Sequence, residues 1–108
     1  MELNTNQDQT PKYDVEALKR KYGKIVLIEV ENPGGNPFEF VLRQPDRNVM
    51  GAVAKVANSD PFKAGVILVE NCLLYGDKAA LDDITVFSAV AEAFEQFNKA
   101  RAATIKNL

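Results

Sequence analysis

A chain of 108 residues with net charge −2, 46% apolar and 26% charged has the balance of one soluble globular domain. That charge excludes an electrostatic case for nucleic acid as the main partner, because phosphate-tracking surfaces show a basic excess or a clustered basic face. One cysteine, Cys72, excludes an internal disulfide, and the densest apolar run, Ala64 to Tyr75, is too short and too interrupted by Glu70 and Asn71 to span a membrane.

Residues 1–12 read as a disordered lead, rich in Asn, Gln, Thr and Asp and closed by Pro11. The first ten residues, MELNTNQDQT, carry neither the cationic start nor the apolar centre of a secretory leader. A short helix follows. Asp14 can cap it, Val15, Leu18 and Tyr22 share one face, and Gly23 stands where a left-handed residue ends helices. The basic run Lys19-Arg20-Lys21 then falls in the last turn, where cations complement the dipole.

KIVLIEVENPGGNPFEFVLRQP, residues 24–45, reads as a β-hairpin. Val26, Ile28 and Val30 alternate to one face of the first arm, and Phe38, Phe40 and Leu42 to one face of the second. Between them lie Asn32 to Pro37, with Gly34 and Gly35 at the centre. A phosphate cradle would need a helix after the glycines; a strand pattern follows instead, so the loop is expected to bind no nucleotide.

Beyond Pro45 the period becomes helical. Asp46 can cap a helix bearing Val49, Met50, Val53, Val56 and Ala57. Asn58 to Pro61 ends it and starts another, with Asp60 and Pro61 as cap and first residue. The segment up to Gly76 is ambiguous between buried helix and buried strand over residues 64–75, and its length and start signal favour helix. The last helix begins at Asp82 or Asp83. It carries Ile84, Phe87, Val90, Ala91, Phe94 and Phe97 as one apolar stripe and is expected to fray near Thr104. The expectation is therefore an α+β fold: a short N-terminal helix, a β-hairpin, then three α-helices packed on the sheet, with residues 13–108 as a single domain.

Nothing in the sequence assembles a catalytic apparatus. There is no histidine, which removes the usual general base and the commonest metal ligand. Cys72 lies beside Leu73 and Leu74, the setting of a structural thiol. Asp82-Asp83 is half a carboxylate site at most, and helix capping explains it. No base is apparent for Ser59 or Ser88. No catalytic, cofactor-binding or metal-binding residue is assigned, and no cofactor is expected. The Phe87, Phe94, Phe97 stripe reads as core before it reads as a partner groove.

One feature needs more than a solvated surface. Ile25, Leu27 and Val41 fall on the opposite face of the hairpin from the core set. A two-stranded hairpin is marginal in water, and an apolar outer face with open strand edges marks contact with another element or another chain. Ile25, Leu27 and Val41 are thus the candidate partner surface, for self-association or for a protein partner.

From Tyr13 to about Ala100 the chain resembles the small tail assembly chaperones of tailed bacteriophages and prophages. The passages FEFVLRQP, Phe38 to Pro45, and DPFKAGVILVENCLLYGD, Asp60 to Asp77, carry most of the likeness. These are packing and turn residues, so no site residue is carried over. The resemblance implies a cytoplasmic, non-enzymatic protein that binds tape-measure or tail-tube proteins and keeps apolar segments soluble until the tube forms. Two other readings stand beside it: a structural virion part, such as a tail terminator or head–tail adaptor, and a small bacterial regulatory binding module.

Overall fold

The computed structural model describes residues 13–108. The lead over residues 1–12 lies outside the described residues. Helix α1 (Val15–Tyr22) leads into strands β1 (Ile25–Val30) and β2 (Phe38–Arg43). Helices α2 (Arg47–Ala57) and α3 (Pro61–Cys72) follow, then a third strand β3 (Leu73–Tyr75), a 3-10 turn over Lys78–Asp82, and helix α4 (Ile84–Phe97). The sheet is antiparallel in the order β1-β2-β3. The fold class is α+β, as expected.

Aspartates start every helix. The carboxylates of Asp14, Asp46, Asp60, Asp77 and Asp83 accept from backbone N–H groups two or three residues on, at 2.8–3.1 Å. Each satisfies a donor that the first turn leaves unpaired, worth about 0.5–2 kcal/mol per cap. Asp83, not Asp82, caps α4, and Asp82 belongs to the 3-10 turn. At the other end of α1, Gly23 has φ 81° and its N–H donates to the Lys19 carbonyl at 2.8 Å.

The hairpin register follows the alternation. Val26 faces Leu42, Ile28 faces Phe40 and Val30 faces Phe38. Their side of the sheet carries the core. Ile28, Phe40 and Leu42 pack there with Val49 of α2, Val69 and Cys72 of α3, and Val86, Phe87, Val90 and Phe94 of α4. Helix α4 lies against β1, α3 against β2, and α2 against α3.

Two boundaries differ from the sequence expectation. The apolar run before Gly76 is helix only to Cys72; Leu73–Tyr75 then pairs with β2 and makes the sheet three-stranded. Val41 faces Tyr75 while Leu42 faces Leu73, so β3 carries one extra residue, Leu74, as a bulge. Arg43, at the end of β2, bridges the turn from helix to strand. Its guanidinium donates to the Asn71 carbonyl at 3.0 Å and to the Gln44 carbonyl at 3.2 Å, and lies 3.7 Å from Asp46. A last-turn carbonyl of α3 thereby finds a charged donor from another element. The second difference is α4, which stops at Phe97 rather than near Thr104. Residues 99–108 have no regular structure and are exposed throughout.

Candidate protein-binding surfaces

The glycine loop has turn geometry. Gly34 sits at φ 83°, the Gly35 N–H donates to the Asn32 carbonyl at 2.9 Å, and the Asn32 amide donates to the Asn36 carbonyl at 3.0 Å. The chain then enters β2, so the loop does not lead into a helix N-terminus, as a phosphate cradle requires. Among the described residues no group of three or more His, Cys, Asp or Glu could hold a metal, and no helix is long and apolar enough to cross a membrane.

Cys72 is fully buried in the core. Burial pushes its thiol above the usual range, the Arg43 guanidinium offsets this in part, and Asp46 adds to the rise. A thiol so placed is a packing group. We expect a thiol reagent at neutral pH to label the folded protein far more slowly than the protein in denaturant; equal rates would mean the site opens.

The three hairpin residues lie on one side of the sheet, and the chain treats them differently. Leu27 pairs with Val41, and Ile25 with Arg43. Val41 is 1% exposed and stands apart from the main core. Its other neighbour, Tyr75, shares that outer face, and the ring of Tyr13 lies on Tyr75 with centroids 4.8 Å apart. That contact places the Tyr13 ring over the outer face, and burial, with the charge of Glu39, the neighbouring Tyr75 and the charge of Glu29, holds its hydroxyl above its ordinary pKa. Ile25 is half-buried, and Leu27 remains 46% exposed. Beside Leu27, Glu29 and Glu39 stand directly opposite each other across the strands, both exposed. Like charges so placed cost a few tenths of a kcal/mol or more. The outer face is thus closed at its β3 side and open, apolar and acidic at its β1 side.

A second surface comes from α3, the 3-10 turn and α4. Phe62, Val66 and Glu70 recur every four residues on α3; Ile84 and Phe87 are three apart on α4; Leu81 and Asp82 join them from the turn. Together with Lys78 they line a groove of about 240 Å³. The Phe62 and Phe87 rings meet at 5.4 Å and 57° across it. Phe87 belongs to the core, whereas Phe62 and Ile84 are 58% and 56% exposed. Both occupy the first turn of a helix. A larger hollow of about 440 Å³ lies among Pro45, Met50, Leu68, Glu95, Gln96, Asn98 and Lys99, with no aromatic residue in its lining.

The sequence stripe therefore divides. Phe94 is core, Phe97 is half-buried and stacks on Phe94 at 5.9 Å, and Ile84 faces the groove. The groove escaped the sequence reading because Phe62 and Ile84 look like ordinary members of amphipathic helices. Their one signal is position: large apolar residues immediately after Asp-Pro and Asp caps.

Comparison with known proteins yields the fold and no more. No family model and no curated protein matches the chain. Among solved structures it is similar to the uncharacterised protein rbstp2171 from Bacillus stearothermophilus, with a TM-score of 0.61 and 24% identity, over 87% of this chain and 100% of that one.

Proposed function

We propose that this protein is a non-catalytic assembly chaperone of the phage tail type, and that it holds an apolar segment of a tape-measure or tail-tube protein in the groove between α3 and α4. The observation that carries the reading is the pair Phe62 and Ile84, both more than half exposed at the rim of one apolar groove. Burying the rest of both side chains would contribute roughly 2–3 kcal/mol to binding. A groove of about 240 Å³ is smaller than the roughly 300–1,000 Å³ of small-molecule sites. It suits an anchoring side chain from a partner helix or loop, with Glu70, Lys78 and Asp82 as a mixed polar rim. The lack of histidine and the burial of Cys72 leave this groove without a nucleophile–base pair. The resemblance in Phe38–Pro45 and Asp60–Asp77 supplies the partner class.

Co-expression with the tape-measure protein of the same phage or prophage tests the reading. The wild-type chain should raise the soluble fraction of that protein and co-purify with it. Phe62→Asp should remain folded by circular dichroism and lose most of the effect. Equal solubilisation by wild type and Phe62→Asp would remove the groove from the mechanism, and no effect by either would remove the chaperone reading.

A further inference from the structure

We propose that residues 99–108, the arm that follows α4, dock along the open edge of β1 in a second copy of this chain, extending its sheet by one strand. The inference goes beyond the chaperone reading and uses a different surface.

The arm has no regular structure and is exposed throughout, and Ile105 is 92% exposed. It carries Lys99, Arg101 and Lys106 and no acidic residue. Its ten residues reach about 33 Å when extended, more than the roughly 20 Å of a six-residue strand. The radius of gyration, 16.7 Å, exceeds the about 13 Å of a compact domain this size, as an arm leaving the body requires.

The receiving surface has the complementary character. Among the described residues β1 pairs only with β2, which leaves its other edge with unmatched N–H and C=O groups. Leu27 is exposed on that strand, and Glu29, Glu31 and Glu39 are exposed around it. Strand addition at such an edge draws affinity from main-chain hydrogen bonds and register from alternate side chains. With an antiparallel arm and Ile105 beside Leu27, period two sets Ala103 beside Glu29 and Arg101 beside Glu31. The basic residue then meets the acids, and the small one avoids crowding the Glu29–Glu39 pair. A second copy is the occupant because it brings the cationic, apolar arm that this acidic, apolar edge matches.

Sedimentation of the full chain over a range of concentrations tests the proposal. Wild type should associate, and more weakly as salt rises. Ile105→Asp, on an exposed arm where it cannot unfold the domain, and Leu27→Lys, on the receiving strand, should each weaken association about tenfold or more. Mixing the two variants should restore part of it, since the mixture pairs one intact arm with one intact edge. A wild type that stays monomeric at all concentrations, including one whose arm folds onto its own β1, overturns the proposal. So does association unchanged by Ile105→Asp, which would point to another surface. Solubilisation of the tape-measure protein by Ile105→Asp should equal wild type, so the arm and the groove fail or succeed separately.

Discussion

Gly76→Ala should lower the melting temperature by about 10–25 °C, the largest effect expected of any single methyl group added to this protein. Gly76 follows β3 with φ 140°, a conformation that L-residues rarely adopt. A Cβ there would lie 2.9 Å from the Glu39 carbonyl oxygen, 3.2 Å from Phe40 Cα and 2.5 Å from the Phe40 ring. Two of those atoms are backbone of β2, held by the pairing of Glu39 and Phe40 with Glu29 and Ile28 of β1, so they cannot yield as a side chain would. Backbone strain and overpacking each cost about 1–3 kcal/mol. Gly51→Ala is the matched control. Gly51 lies in α2, exposed, with nothing within 4 Å of the added carbon. It should stabilise by about 0.5–1 kcal/mol. Urea titrations of the two variants decide the point; a Gly76→Ala protein as stable as wild type would mean that the chain does not cross β2 so closely.

Phe94→Ala should destabilise the domain by about 3–5 kcal/mol, whereas Phe62→Ala should cost less than about 1. Phe94 is wholly buried in the core, and its loss leaves a cavity that close-packed surroundings fill only in part. Phe62 is 58% exposed, and its ring lies tilted against that of Phe87 at 5.4 Å. The contrast separates aromatic rings that hold the fold from one kept at the surface. Comparable losses for both would place Phe62 in the core and remove the main support for the groove as a binding site.

These two residues also show where sequence reasoning succeeds and stops. Phe94 was legible: it stands seven residues from Phe87 on a helix with one apolar stripe, and such a stripe must be buried. The hairpin register was legible for the same reason, because a one-residue slip would turn Ile28, Phe40 and Leu42 away from the core. Strand β3 was not. Leu73–Tyr75 continues an apolar helix with no glycine or proline between, and at the break Arg43 reaches the Asn71 carbonyl from 28 residues away. No local pattern encodes that contact. In the sequence Gly76 only bounds the ambiguous segment; its necessity comes from the approach to β2, which exists only once β3 has paired. On the outer face, period two set Ile25, Leu27 and Val41 together. That Val41 would be covered while Leu27 stayed open depended on Tyr75 and Tyr13, which join the face only through β3.

A chaperone that meets its partner before the tube closes differs from a tail component in where it ends up. Quantitative mass spectrometry of infected or induced cells and of the virions purified from them measures that directly. If the proposed chaperone function holds, the protein is abundant in the lysate, co-purifies with the tape-measure protein and is missing from finished particles. Many copies of the chain in every purified virion would contradict it.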